Sequence, residues 1–223
     1  MATNLDLQEQ EQLDELKAFW NRYGNLITWT LTAVLAAFAA WNGWNWWQTQ
    51  QAGKAAGLFD EMNRAVLAAD ADKAGRVFSD MKERFAGTTM THQAGLLAAR
   101  LQFDKGQADA AQGTLGWVAE HGDAELAAVA RLRLASLLVD KKAYDDALKQ
   151  LDGIGPAEFQ ALAQDRRGDV LLAQGKKADA VQAWRAAWDK MAATDDYRRI
   201  VEAKLTAAGA APPAEAAASG ASR

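Results

Sequence analysis

The chain has 223 residues, a net charge of −4 and no cysteine. That length allows one domain or two small ones; the missing thiol excludes disulfides, thiolate metal sites and cysteine nucleophiles; and a pI near 5.3 argues against a general nucleic-acid binder, which carries a basic stripe. Only three prolines in a text rich in Ala, Leu, Gln, Lys and Asp suit helices far better than sheet, so the expected fold class is all-α.

Residues 1–22 form an acidic leader, in which Asp6, Glu9, Glu11, Asp14 and Glu15 precede Lys17 and Arg22. Leu5, Leu13, Leu16, Phe19 and Trp20 are interleaved with those carboxylates. They read as a short amphipathic lead-in, with docking of a partner as the alternative. From Tyr23 to Gly53 there is no charged residue. The apolar stretch from Leu26 to Trp47 would extend roughly 33 Å as a helix, close to the ~30 Å of bilayer hydrocarbon. Residues 23–50 are therefore expected to form a transmembrane helix with interfacial anchors: Trp20 and Tyr23 at one end, Trp41, Trp44, Trp46 and Trp47 at the other. A cleaved signal peptide has a basic start and small residues at its end. The acidic leader and the Trp- and Gln-rich end of this segment do not fit one, so the anchor is expected to be retained. Lys17 and Arg22 lie closest to the span, which favours a cytoplasmic N-terminus and translocated C-terminal residues. Within the span, Thr28, Thr30 and Thr32 can return hydrogen bonds to their own helix, and Ala33, Ala36, Ala37 and Ala40 would permit close helix approach in lipid.

After Lys54 the text changes to charged, Ala-rich segments of helical period broken by recurring short turns. Ala74, Ala111, Ala147 and Ala180 are separated by 37, 36 and 33 residues. Twelve residues before the last three stand Ala99, Ala135 and Gly168. Four and seven residues after the four anchors come Phe78 and Met81, Leu115 and Val118, Leu151 and Ile154, Trp184 and Ala187, which share one helical face. The turns before the last three anchors contain Lys105-Gly106-Gln107, Lys141-Lys142-Ala143-Tyr144 and Gly175-Lys176-Lys177. This pattern resembles the tetratricopeptide repeat, a helix-turn-helix unit of about 34 residues. The repeat-like domain is expected over 54–205, with Met62 in the small-residue position of a degenerate first unit. Stacking such pairs buries a face that each pair alone would expose, and leaves a concave side suited to binding proteins. On that side the tetratricopeptide pattern selects Arg100, Ser136 and Asp169 eleven residues before the anchors, and Leu96, Leu132 and Asp165 one turn earlier. These six are the candidate partner-binding residues. Packing between helices is the competing reading for Leu96 and Leu132. Residues 206–223, with Pro212-Pro213 and few large apolar groups, read as a disordered tail.

No catalytic constellation is visible. His92 and His121 are isolated and read as surface imidazoles, and phosphate-loop, dinucleotide, nucleophile-elbow and zinc-protease motifs are absent. Asp145-Asp146 and Asp195-Asp196 read as helix-start and surface charge; Arg166-Arg167 and Arg198-Arg199 are offset by neighbouring carboxylates. No enzymatic activity, metal, cofactor, nucleic acid or small-molecule substrate is expected.

Glu9-Gln10-Glu11-Gln12-Leu13-Asp14-Glu15-Leu16-Lys17-Ala18-Phe19-Trp20, then Gly24, then Gly43-Trp44-Asn45-Trp46-Trp47-Gln48, carry a sharper signal. Over roughly Asn4 to Leu205 the chain resembles the YfgM-like family of ancillary SecYEG translocon subunits. The resemblance implies a single-pass protein of the cell inner membrane, with its N-terminus in the cytoplasm and its repeats in the periplasm. It also implies association with SecYEG and the periplasmic folding factor PpiD, and assistance in handing translocated proteins to chaperones. The runner-up is a tetratricopeptide scaffold of another envelope assembly complex, for cytochrome c maturation or cell division.

Overall fold

A computed structural model of the chain describes residues 7–211, all helix, turn or irregular backbone with no strand among them. The first six residues of the leader and residues 212–223 of the expected tail lie outside the described residues; residues 206–211, expected as the start of a disordered tail, instead finish the last helix and its closing turn. The helices are α1 Leu7–Leu67, α2 Ala71–Phe85, α3 Thr89–Asp104, α4 Ala108–His121, α5 Ala124–Asp140, α6 Tyr144–Asp152, α7 Gln160–Ala173, α8 Lys177–Lys190 and α9 Arg198–Ala207, with a 3-10 turn at Ala157–Phe159. The chain divides after Gln51 into two compact units.

In the first unit, every residue from Leu26 to Trp47 is exposed. A soluble core helix of that composition would be covered. The helix over Gln12–Leu67 is long and apolar enough to cross a membrane, the only such helix among the described residues. Several of its polar side chains bond back to the helix: the hydroxyls of Thr28, Thr30 and Thr32 donate to the carbonyls of Gly24, Leu26 and Thr28 at 2.7–2.8 Å, and the Asn42 amide donates to Phe38 at 3.0 Å. An apolar solvent penalises any unsatisfied polar group by several kcal/mol, so these bonds suit a helix in lipid. Leu13, Leu16 and Phe19 of the leader are also exposed.

The second unit is built of stacked helix pairs: the end of α1 with α2, α3 with α4, α5 with α6, and α7 with α8. The anchors Ala74, Ala111, Ala147 and Ala180 are each completely buried, and all eight side chains four and seven residues beyond them are buried too. Ala99, Ala135 and Gly168 are buried where the facing helix comes close; a β-carbon on Gly168 would lie 2.4 Å from the Trp184 ring. Met62 is fully buried in the first pair, so the larger side chain is accommodated there.

The turns repeat as faithfully as the core. Ala69, Gly106, Lys142 and Gly175 each stand five residues before an anchor, and each adopts a left-handed backbone, φ 51°, 77°, 59° and 79°. The following N–H reaches back to the carbonyl five residues earlier, as in Gln107 to Gln102 at 2.8 Å and Lys176 to Leu171 at 2.9 Å. This closes the first helix of each pair with a Schellman turn. Gly209 ends α9 in the same way, φ 79° with Ala210 N–H to Leu205 at 2.9 Å, so α9 is terminated like the first helix of a further pair.

A polar ladder links successive pairs. Asp72, Asp109 and Asp145, each two residues before an anchor, accept from Gln107 at 2.8 Å, from Lys141, and from Gln174 at 3.1 Å. The hydrogen bond and charge of Lys141 hold the Asp109 carboxyl below its ordinary pKa. Contacts so exposed are screened by water and contribute little, whereas burying one Leu or Phe contributes about 1.5–3 kcal/mol. Burial therefore holds the stack together, and the ladder fixes its register.

Candidate functional site

The six candidate residues fall into different environments. Arg100 on α3 and Ser136 on α5 are exposed and line one cavity of about 350 Å³, whose other walls are Ala99, Phe103, Leu115, Arg133, Leu137 and Asp140. Leu132 is half-buried, and Leu96 is only 8% exposed, packed into the core. Asp165 is fully buried, and Asp169 beside it is partly covered.

Both carboxylates are taken up by the chain itself. Lys204 of α9 donates to both oxygens of Asp165 at 2.7 and 2.9 Å and pairs with Asp169 at 2.8 Å, while the Tyr197 hydroxyl donates to Asp165 at 2.9 Å. The Trp184 indole N–H lies 3.2 Å from both the Asp165 carbonyl and an Asp169 carboxylate oxygen, and Arg166 pairs with Asp169 at 3.3 Å. Burial, then the Asp165 charge and hydrogen bond, push the Tyr197 phenol up to about 12. This cluster pins α9 to α7. Asp165, saturated in this way and fully buried, offers no surface to a partner, and Asp169 keeps only part of one.

The cavity is different in kind. Its floor is apolar, from Ala99, Leu115 and Leu137, and Phe103 stands 48% exposed at its edge. Arg133 donates to the Leu96 carbonyl at 3.2 Å. Desolvation, and then the nearby Arg100 charge, lower its pKa from the usual guanidinium value. Arg100 is partly offset by Asp104 at 3.8 Å. Arg133, Phe103 and Asp140 were not among the sequence candidates. Helical spacing puts them on the faces of the candidates, Arg133 and Asp140 three and four residues from Ser136 and Phe103 three after Arg100, but that the two faces line one cavity follows only from the packing of α3 and α5.

The histidines separate as well. His121 is exposed and stacks on Trp117 with ring centroids 4.7 Å apart. His92, expected at the surface, is 2% exposed: Nε2 lies 2.9 Å from the Ala86 carbonyl and Nδ1 3.6 Å from Asp123. The packing of α3 between its neighbours overrides the helix-start position. Among the described residues no group of three or more His, Asp or Glu is placed to hold a metal ion.

The sequence matches the tetratricopeptide repeat-like domain family over residues 17–210. It is 30% identical over 201 residues to the ancillary SecYEG translocon subunit of Neisseria gonorrhoeae (strain ATCC 700825 / FA 1090), covering 89% of this chain and 96% of that one. The chain belongs to the ancillary SecYEG translocon subunit family. A second member, from Escherichia coli (strain K12), is 31% identical over 181 residues, which is 80% of this chain and 86% of its own. The ancillary SecYEG translocon subunits are a repeat-type family and not an enzyme family. The repeat-like match takes in the exposed apolar part of α1 together with the helix pairs.

Proposed function

We propose that the protein is an inner-membrane-anchored, non-catalytic protein-binding module that associates with the SecYEG translocon. Its N-terminus lies in the cytoplasm, and its repeats work in the periplasm, receiving proteins as they emerge and assisting their transfer to chaperones, with PpiD as a further partner. The observation that carries this reading is one chain combining an apolar helix exposed from Leu26 to Trp47 with stacked repeats, matched over 89% of its length by a relative named as a translocon subunit. Trp20, Tyr23, Trp41, Trp44, Trp46 and Trp47 are all at least 42% exposed, which suits rings seated at the two headgroup levels. Arg100, Ser136 and half-buried Leu132 are the groove contacts that the reading retains; Leu96, Asp165 and Asp169 support the walls and the C-terminal cap.

Purification of the full chain from membranes in mild detergent, followed by identification of what accompanies it, tests the proposal. Recovery of SecYEG subunits and PpiD is the expected result. Recovery of cytochrome c maturation or cell-division proteins without translocon subunits would replace it with the scaffold reading.

A further inference from the structure

Resting on the reading of the groove as a protein-binding site, we propose that it selects an internal segment of a partner protein carrying an acidic, an apolar and a basic side chain in succession along one face. The α5 wall of the cavity carries Arg133, Ser136 and Asp140 in that order. Arg133 and Asp140 are seven residues apart, about 10 Å along the helix axis. Among the described residues neither has an ion-pair partner; Arg133 makes its one hydrogen bond to the Leu96 carbonyl.

The rest of the wall supplies the complement. Arg100 adds a second guanidinium at the basic end, and the resulting like-charge pair is relieved by an incoming carboxylate. Between the charged ends lie Ala99, Leu115 and Leu137, with the Phe103 ring beside them, a seat for one aliphatic or aromatic side chain. In an extended segment, residues i, i+2 and i+4 share a face and span about 13 Å, within side-chain reach of both ends. A C-terminal carboxylate by itself would satisfy only the basic end, and an N-terminal amine only the acidic end. The opposed charges thus favour an internal segment and set the alignment of its acidic and basic ends.

Fluorescence anisotropy of the full chain in detergent, with labelled, C-terminally amidated peptides, tests this directly. The three probes carry Glu-Ser-Leu-Ser-Lys, Glu-Ser-Leu-Ser-Glu or Lys-Ser-Leu-Ser-Lys between Gly-Ser flanks. The wild-type protein is expected to bind the mixed-charge peptide about fivefold or more tightly than either like-charge peptide, with the preference fading as salt rises. Asp140→Lys is expected to transfer the preference to the doubly acidic peptide. Equal binding of all three by the wild type, or none, overturns the proposal without needing any variant. If photocrosslinks from position 136 reach translocon subunits in the same preparation, the general groove reading survives that result. If they reach nothing, both readings fall.

Discussion

Gly168 and Gly113 are both helical glycines, yet their surroundings make opposite demands. A β-carbon at Gly168 would meet the Trp184 ring at 2.4 Å, whereas one at Gly113 would meet nothing within 4 Å. Gly168→Ala is therefore expected to destabilise the protein by about 1–3 kcal/mol, and Gly113→Ala to stabilise it by up to about 1 kcal/mol. Thermal melts of the full chain decide both; a neutral Gly168→Ala would mean that α7 and α8 are not in close contact there. Lys142 gives a third test at this scale, since it holds φ 59° where two equivalent turns use glycine. Left-handed backbone costs a non-glycine residue about 1–2 kcal/mol, partly offset by glycine's greater freedom when unfolded. Lys142→Gly is expected to raise the melting midpoint, and a fall would place the strain elsewhere. Buried anchors such as Ala111 and Ala147 were legible from spacing and residue type. The burial of His92 was not, because its partners, the Ala86 carbonyl and Asp123, lie in the α2–α3 and α4–α5 connections rather than in its own helical period.

At the scale of the element, α9 is the part least legible in the sequence. Lys204 and Tyr197 lie 39 and 32 residues from Asp165 in sequence, outside any repeat spacing, so local pattern does not show that Lys204 pairs with that carboxylate and Tyr197 donates to it. Asp165 and Asp169 hold the repeat positions selected as groove contacts, and nothing in the local pattern distinguishes a groove-facing carboxylate from one covered by the next helix. Removing one partner of a buried pair leaves an unpaired charge and costs about 3–5 kcal/mol, while replacing both by apolar groups is often neutral. Lys204→Met alone is thus expected to lower stability markedly, and Lys204→Met with Asp165→Leu to recover most of the loss, as read by denaturant unfolding. Failure of the pair to recover would mean that the loss does not come from the Asp165 carboxylate left unpaired. The phenol supplies a pH test. Because folding raises the Tyr197 pKa from 10.0 to about 12, the folded state holds the proton more tightly. Its contribution is complete below about pH 10 and is lost as pH rises through 12. Tyr197→Phe should flatten that alkaline fall in stability; an unchanged alkaline profile would count against the buried hydrogen bond to Asp165.

For the whole molecule, the all-α class and the period were readable because both follow from local spacing, while the cavity between α3 and α5 was only half readable. Arg100 and Ser136 followed from counting, but Arg133, Phe103 and Asp140 required knowing how two non-adjacent helices face each other. The proposed topology has its own test: protease added to spheroplasts should digest the repeats and spare the leader, and digestion only after lysis would reverse the orientation. The claim that an anchored repeat module meets its partners through this groove is tested most directly by a photoreactive amino acid placed in the full chain in living cells, at Ser136 and, as controls, at exposed Lys149 and Lys190. Adducts from position 136 with translocon subunits or with chains in transit, and none from the two control positions, are the expected result. A folded, membrane-inserted protein that forms adducts only from the control positions, or from none of the three, would contradict it.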